Sequence, residues 1–569
     1  MPRRFELSVM VDDMDSANMH GWTSLRDVEA FIRKCARHGV KTIFWRLSQI
    51  GGFGYPTRFD RIQTCDPDTP YAKLIHSADV PAALPAIARP LGVRVFGWFT
   101  MFDEGWFPRF RSLIPNVKTY YKSFPMNSRF YRSLDYLSYR KTFDTEKDFR
   151  DYLPGSPGPA YRDVLPAVGM GKAIPSNDPW ACYSYFARRH PECLVRTREG
   201  LRVGRCLSYA FPAVRAYRRH MVEEVLSCGL DGVLLDFTRW PADNDVLTLD
   251  EDGVARCGYE APLVEGFRRR FRRNPARISN ADPDWLQYRA DHGPTRFLRD
   301  LRARLRRRFP KSKLAAMVHL ERPLEEAFVD PATWMRDRLV DILLPYINPD
   351  RWRAVNDPNV RDHRLTDYLS MGFHWADLAR KRVKIVNCIK PTLYNPESFY
   401  WQQESISPRE LYIGIQDLKR AGSDGLAFYE EVTLTPTHWQ ALRMMAQGKG
   451  LKEICALQTR RKRIFQRAVS ASVKPVPGRP RRFRVEVRVD PSSGFRPDVI
   501  RAFLAKPGPG AFPLAVPPVD QKERFSATIP LDPRWLKAGR RILKIVCWES
   551  EIGVQTSLRL PSLVANSLR

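Results

Sequence analysis

Four carboxylate residues stand in or after short apolar segments of this 569-residue sequence. Asp236 interrupts the apolar segment 232–237, Glu321 follows a second such segment, and Glu430 and Glu431 follow a third. Two carboxyl groups on either side of a bond can divide its cleavage, one as general acid and one as nucleophile or base. We predict that Asp236 is the nucleophile or base. Glu321, Glu430 or Glu431 is then the general acid, and the sequence leaves that choice open.

Other polar residues and several aromatic residues stand near the ends of the same segments. Sugars offer hydroxyl groups to polar side chains and apolar ring faces to aromatic rings, so this mixture predicts a glycan-binding cleft. The predicted substrate-binding residues are Asp12, Asp13, Arg46, Trp98, Tyr209, Trp240, His319, Tyr346 and Asn348. Each has a structural alternative, and for Asp236 that alternative is a buried ion pair with Arg46 or Arg239.

No metal ion or organic cofactor is expected in this cleft. The ten cysteines and ten histidines are dispersed along the chain, without a CxxC pair and without the close His and Cys spacing of zinc sites. The segment 169–172 (GMGK) lacks the full spacing of a phosphate-binding loop, and we interpret it as an ordinary loop.

The elements that must position these residues are eight short apolar segments, which predict buried parallel strands. Amphipathic segments between them predict helices, for example at 24–38, 212–227, 295–309 and 408–421, and a glycine often precedes the next strand. Eight strand–helix repeats predict a (β/α)8 TIM barrel, with a doubly wound open sheet as the alternative. The strand segments are 5–11, 41–47, 93–99, 232–237, 313–319, 341–347, 383–389 and 425–429.

Two further regions depart from this repeat. A long segment at about 102–209, rich in Pro, Tyr, Phe and Arg, predicts an insertion between the third barrel strand and its helix. From about residue 465, period-two alternation and Pro/Gly-rich turns predict a small antiparallel β-sandwich. We therefore predict an α/β barrel domain at 1–450 and an accessory sandwich at 465–565, with the boundary in the segment 447–463.

The chain is strongly basic, with 93 Lys and Arg against 63 Asp and Glu and a formal net charge of +30. Such a charge favours an anionic partner, for example an acidic polysaccharide. The alternative is a solvated arginine-rich surface, because runs such as 268–273 and 302–308 fall inside amphipathic helix patterns. We expect no nucleic acid partner on this basis.

The first residues lead directly into a predicted strand without an apolar signal segment. No apolar stretch is long enough to span a bilayer. A cytoplasmic location without a membrane partner is therefore expected, unless a signal segment has been removed.

The segment 228–241 (CGLDGVLLDFTRWP) resembles the strand-four motif of the bacterial glycosyl-hydrolase-10-like barrel family. The residues that match are Asp231, Gly232, Asp236, Phe237, Trp240 and Pro241, and looser similarity extends over about 5–445. The resemblance implies a barrel that hydrolyses glycosidic bonds in a polysaccharide. The chain departs from the family pattern where Phe237 replaces a second aspartate and where HLERP follows strand five.

These observations favour a glycoside hydrolase acting on a polysaccharide or oligosaccharide, with a cell-wall or anionic glycan as the favoured variants. Two alternatives stay open. One is a glycan-binding barrel that has lost catalysis, which the departures from the family motif would explain. The other is a polyanion-binding protein driven by net charge, whose binding would depend steeply on salt.

Overall fold

The computed structural model describes most of the chain between residues 5 and 559. Described are 5–110, 142–143, 181–238, 250–346, 383–389, 392–394, 403–405, 408–504, 524–530, 542–549 and 552–559, apart from 50, 61, 63–68, 103, 107–108, 183, 201, 251–252, 320–322, 435, 477–478 and 494–498. These residues divide between two compact units. The first comprises Met1–Pro115, Asp135–Lys390 and Gly414–Thr433, and the second Asn116–Leu134, Pro391–Ile413 and Leu434–Arg569.

The helices of the described residues are α1 (Asp13–His20), α2 (Leu25–Arg37), α3 (Pro70–Ser77), α4 (Val80–Ala88), α5 (Tyr185–Arg189), α6 (Pro212–Ser227), α7 (Ala261–Phe271), α8 (Pro283–His292), α9 (Pro294–Arg308), α10 (Pro323–Ala327), α11 (Pro331–Arg336), α12 (Pro408–Arg420), α13 (Pro436–Ala446) and α14 (Leu451–Ala468). Short 3-10 helices cover Arg89–Leu91, Pro191–Cys193, Pro275–Arg277, Glu431–Thr433 and Pro491–Ser493. Among these helices, none combines the length and apolar character needed to cross a membrane.

The strands are β1 (Glu6–Val11), β2 (Val40–Gln49), β3 (Gly52–Phe53), β4 (Arg94–Thr100), β5 (Gly105–Trp106), β6 (Arg109–Phe110), β7 (Thr142–Phe143), β8 (Ala181–Cys182), β9 (Leu194–Arg196), β10 (Arg202–Leu207), β11 (Gly232–Asp236), β12 (Lys313–His319), β13 (Ile342–Tyr346), β14 (Lys384–Ile389), β15 (Thr392–Tyr394), β16 (Gln403–Ser405), β17 (Gly425–Phe428), β18 (Val469–Val476), β19 (Arg479–Val489), β20 (Val499–Leu504), β21 (Arg524–Pro530), β22 (Ile542–Glu549) and β23 (Ile552–Arg559).

Eight parallel strands close into a barrel in the first unit. Their order around the barrel is β1, β2, β4, β11, β12, β13, β14 and β17, and β17 pairs with β1 to close it. Every neighbour in this ring is the next barrel strand along the chain, as in a (β/α)8 barrel. The predicted barrel is confirmed, because each of the eight predicted strand segments overlaps one barrel strand.

Local sequence signals explain where the helices begin and end. Ser24 and Asp27 form a capping box at the start of α2, in which the Ser24 backbone N–H donates to the Asp27 carboxylate at 3.0 Å. Four predicted helix-ending glycines all adopt positive φ, between 65° and 90°, which side chains other than glycine rarely adopt. They are Gly39, Gly92, Gly229 and Gly422.

The barrel interior is filled by side chains that alternate along each strand. The buried cluster takes Phe96 and Trp98 from β4, Ala315 and Met317 from β12, and Ile342, Leu344 and Tyr346 from β13. Intervening residues point to the surrounding helices, as period-two geometry requires. The interior is therefore a packed core, and a site must lie at one end of it.

The remaining parts of the chain form small sheets. Residues 101–211, between β4 and α6, contain the two-stranded pairings β5–β8, β6–β7 and β9–β10. The second unit contains two three-stranded antiparallel sheets, β18–β19–β21 and β20–β22–β23, in the region predicted as a sandwich. Most of the predicted boundary segment 447–463 belongs to helix α14.

Candidate active site

Several predicted site residues continue the inward alternation at or near the carboxyl ends of the barrel strands. Met10 of β1 and Phe44 of β2 belong to the interior cluster, and Asp12 and Arg46 follow each of them by two residues. Asp236 stands in the same relation to Leu234 on β11. Because side chains two residues apart on a strand share a face, these polar groups lie above the core at one end of the barrel.

Asp236 is fully buried and held by neutral donors from adjoining strands. Trp98 Nε1 donates to Asp236 Oδ2 at 3.0 Å. The backbone N–H and the hydroxyl of Thr238 donate to Asp236 Oδ1 at 2.8 and 2.6 Å. Both oxygens of Asp236 therefore act as hydrogen-bond acceptors. The alternative ion pair with Arg46 is not formed, because Arg46 pairs with Asp12; Arg239 lies outside the described residues.

The thiol of Cys388, on β14, is a further buried neighbour of Asp236. Burial and the charge of Asp236 raise the pKa of Cys388 well above its usual range. The neutral thiol donates to the Met10 sulfur at 3.5 Å. Asp236 therefore borders the apolar side chains of the barrel core, and its hydrogen-bond donors are Trp98 and Thr238.

An aromatic wall runs from Asp236 around the barrel mouth. Trp98 packs edge-on against Tyr429 with ring centroids 5.7 Å apart, and Tyr429 contacts Tyr346 at 5.1 Å. Tyr346 in turn lies 5.9 Å from the ring of His319, whose Nε2 bonds the Thr238 carbonyl oxygen at 2.8 Å. Predicted residues on β4, β12 and β13 are thus brought together with Tyr429 of the loop after β17.

A second group of carboxylates lies where β1, α1 and β17 meet. Asp12, Asp15 and Glu430 are all buried, and one oxygen of each lies within 4.8 Å of the others. Arg46 makes an ion pair with Asp12 and places its guanidinium 4.6 Å from the Trp98 ring centroid. A chain of contacts therefore joins this cluster to Asp236 through Arg46 and Trp98. The three oxygens could hold one cation or share protons.

Asp13 is a buried carboxyl group beside this cluster. Burial, followed by the charge of Asp12, raises the pKa of Asp13 to about 8, against the opposing effects of Arg46 and the Tyr71 hydroxyl. Gly54 packs directly on it, since a Cβ there would lie 2.1 Å from Asp13 Oδ2. Asp13 is therefore uncharged at neutral pH and enclosed by its neighbours.

The two adjacent glutamates after β17 have different partners. Glu430 joins Asp12 and Asp15, whereas both carboxylate oxygens of Glu431 contact His20 Nε2 of α1, at 3.1 and 3.2 Å. The Glu431 side chain is completely buried. This contact with His20 fastens the loop after β17 to α1, the helix that carries Asp15.

Tyr209 lies in a different environment from the other predicted binding residues. Its hydroxyl donates to the Met101 carbonyl at 2.7 Å, and its ring contacts Phe102, Phe237 and Phe297. Burial raises the pKa of Tyr209 well above its usual range. These contacts give Tyr209 a packing role at the start of α6. Three other predicted residues, Glu321, Trp240 and Asn348, lie outside the described residues.

Besides Tyr429 and Cys388, three further participants in the site were not among the predicted residues. Thr238 follows Asp236 by two positions, so the alternation that brings Asp236 inward could have identified it. Asp15 lies three residues after Asp12, a spacing that places both on one helix face. Gly54 has no such signal, because its contact with Asp13 depends on how the loop after β2 folds back.

No family model matches this chain, and no curated protein matches it by sequence. Among solved structures, it resembles a β-N-acetylhexosaminidase from Bacteroides fragilis at 8% identity, over 78% of this chain and 65% of that one, with a TM-score of 0.39. An α-galactosidase from Thermus thermophilus matches at 13% identity, over 85% and 66% of the two chains, with a TM-score of 0.35. A morphinone reductase also matches, at 11% identity, over 78% and 86%, with a TM-score of 0.31.

The matches cover less than two thirds of the hexosaminidase and galactosidase chains. Hydrolases and a reductase share this likeness, so it does not bear on the chemistry of the present chain. Function must be argued from the side chains at the barrel mouth.

Proposed function

We propose that this protein is a glycoside hydrolase in which Asp236 is the nucleophile or base and Glu430 is the general acid. The observation that carries this proposal is that two carboxylate sites with different surroundings lie at one barrel mouth. Asp236 bonds Trp98, the Trp98 ring contacts Arg46, and Arg46 pairs with Asp12 of the carboxylate cluster. Glycosidic cleavage needs two carboxyl groups in different protonation states. Glu430 is preferred to Glu431, whose carboxylate is engaged by His20.

The balance of charge in the carboxylate cluster supports the acid assignment. Asp12, Asp15 and Glu430 converge in a buried space where Arg46 is paired with Asp12. Carboxyl groups this close to one another disfavour simultaneous ionisation, so this arrangement favours a group that can act as an acid. A carboxyl group that keeps its proton at neutral pH can donate it to a leaving-group oxygen.

The surroundings of the carboxylates suit a sugar ring. Trp98, Tyr346 and Tyr429 form a buried aromatic layer beside Asp236, and glycan sites are lined by aromatic side chains of this kind. Asp12 Oδ1 is buried and accepts no hydrogen bond within the described part of the chain. The strand-four motif favours an enzyme of the glycosyl-hydrolase-10-like class, with a polysaccharide as substrate.

The test compares Asp236→Asn with wild type on a panel of polysaccharides and aryl glycosides, with products followed by mass spectrometry. Loss of Asp236 should lower kcat by about 10²–10⁴-fold. Glu29→Gln is the matched control, because this carboxylate lies exposed on α2 in an ion pair with Arg33. Its kcat should stay within about tenfold of wild type.

Equal turnover by Asp236→Asn and wild type would reject the assignment. Tight glycan binding by wild type, without product after long incubation, would instead identify a binding barrel that has no hydrolase activity.

A further inference from the structure

The two sides of helix α9 differ in charge balance. On one side, Arg299 and Arg302 face three carboxylates, Asp291, Asp337 and Asp341, with nitrogen–oxygen distances of 2.7–3.9 Å. These arginines are neutralised by their neighbours. Arg302, the first residue of the basic run 302–308, is therefore paired. This agrees with the alternative in which the net charge reflects an arginine-rich helix surface and not a binding site.

The side of α9 that faces α6 carries an excess of arginine. Asp300 lies 3.4 Å from Arg215, and Glu223 binds Arg304 and Arg308. Arg219 lies close enough to Glu223 for its positive charge to help lower the pKa of that carboxylate. Burial, followed by the positive charge of Arg296, lowers the pKa of Arg215. Two carboxylates thus stand against five arginines: Arg215, Arg219, Arg296, Arg304 and Arg308.

A small groove opens on this face, between the first halves of α6 and α9. It has a volume of about 140 Å³, and its polar lining comes from Arg215, Arg219 and Asp300. Arg215 is nine-tenths buried, and its guanidinium also donates to the Tyr209 and Ala210 carbonyls at 2.8 Å. Pockets for drug-sized ligands measure about 300–1,000 Å³, so this groove suits a single small group.

The groove lies toward the end of the barrel that carries the candidate active site. Barrel helices run antiparallel to the strands, so their first turns lie near the carboxyl ends of the strands. The start of α6 is fastened there, because Tyr209 bonds the Met101 carbonyl directly after β4 and contacts Phe297 of α9. The amino-terminal ends of both helices add partial positive charge.

We propose that this α6–α9 groove binds a sulfate, phosphate or carboxylate group carried by a glycan, and so holds an anionic polysaccharide beside the barrel mouth. This rests on the proposed function for its choice of a glycan. A nucleic acid backbone needs a continuous basic track, whereas the basic face ends where Arg299 and Arg302 are paired. Arginine suits oxyanions because its planar fork can donate two parallel hydrogen bonds.

The experiment measures binding by isothermal titration calorimetry, with sodium sulfate, a sulfated dextran oligosaccharide, neutral dextran and single-stranded DNA as separate probes. The double variant Arg219→Gln/Arg296→Gln is compared with Arg299→Gln, which removes an arginine from the balanced side of the same helix. We expect the double variant to weaken binding of the sulfated oligosaccharide at least tenfold and Arg299→Gln to bind like wild type. Circular dichroism checks that the helices remain folded.

Three outcomes would overturn the proposal: equal affinity of the double variant and Arg299→Gln, equal affinity of wild type for sulfated and neutral dextran, or DNA binding as tight as glycan binding. Binding of free sulfate without any gain from the dextran chain would also overturn it, because the group would then be recognised without a glycan. The groove is judged by binding of the sulfated probe to the arginine variants and the hydrolase by turnover of Asp236→Asn, so their failures are separable.

Discussion

The two carboxylate environments at the barrel mouth are built in opposite ways. Asp236 accepts three hydrogen bonds from neutral donors, Trp98 and Thr238, on its own and a neighbouring strand. Asp12, Asp15 and Glu430 instead pack against one another, with Arg46 as the guanidinium paired to Asp12. On the Asp236 side the carboxylate oxygens meet neutral donors, whereas on the cluster side three carboxyl groups meet one another and the Arg46 guanidinium.

This difference separates the roles that the two sides can take in catalysis. A carboxylate surrounded by donors keeps its position and its lone pairs, as a nucleophile or base requires. A cluster of like charges binds protons more readily, as a general acid requires. The four predictions below test this contrast, in order of decreasing expected effect.

Glu430→Gln should lower kcat by about 10²–10⁴-fold on substrates whose leaving group needs a proton. The loss should be much smaller on an aryl glycoside with an acidic phenol, because that leaving group departs without protonation. Steady-state kinetics on the two substrates measure the difference. An equal loss on both would assign Glu430 to another step, and Asp236→Asn supplies the reference for a loss that does not depend on the leaving group.

Arg46→Met should destabilise the fold by about 3–5 kcal/mol, because it leaves the buried Asp12 carboxylate without its cation. The matched control is Arg33→Met, which removes an exposed ion pair with Glu29 one turn away on α2. That change should cost no more than about 0.5 kcal/mol. Urea unfolding of both variants measures the difference, and similar losses would show that the cluster does not depend on Arg46.

Asp13→Asn should change the pH dependence of stability. The pKa of Asp13 rises from 3.8 to about 8 on folding, so the folded chain holds this proton more tightly than the unfolded chain. The favourable contribution is complete below about pH 4 and is lost as pH rises toward 8. The variant cannot ionise, so its stability relative to wild type should rise between pH 5 and 8, by about 3–4 kcal/mol.

Asp27→Asn gives the opposite sign and serves as the control for that titration. Hydrogen bonds from the Thr23 backbone and the Ser24 hydroxyl lower the pKa of Asp27. Its contribution to stability is present above the unfolded pKa and is lost as the solution becomes more acidic. Thermal melts from pH 3 to pH 8 measure both variants, and parallel curves would contradict the account of Asp13.

Thr238→Val should have the smallest effect, since the backbone N–H of residue 238 still donates to Asp236. Loss of the hydroxyl should cost about 1 kcal/mol of stability and lower kcat by up to about tenfold. The control is Thr295→Val, another buried threonine, whose hydroxyl accepts from Trp334 Nε1 at 2.9 Å. It should show a similar loss of stability with unchanged kcat.

Much of the barrel could be predicted because its determinants are local. Apolar segments of strand length, amphipathic segments and glycines such as Gly39 and Gly229 specify strands, helices and helix ends without reference to distant residues. Alternation from Met10 and Leu234 also predicts that Asp12 and Asp236 point inward. After β17, alternation indicates that only one of Glu430 and Glu431 points inward, but it does not identify the partner of either residue.

The sequence by itself determined the (β/α)8 order of elements and the candidate status of Asp236, since both follow from periodicity along one strand or helix. Only the tertiary structure decided that Arg46 pairs with Asp12 and not with Asp236, and that Glu431 meets His20 while Glu430 meets Asp12 and Asp15. These partners come from elements up to 418 positions apart in the chain. Pairings of this kind depend on how the barrel closes, which brings β17 beside β1, and no local pattern encodes that contact.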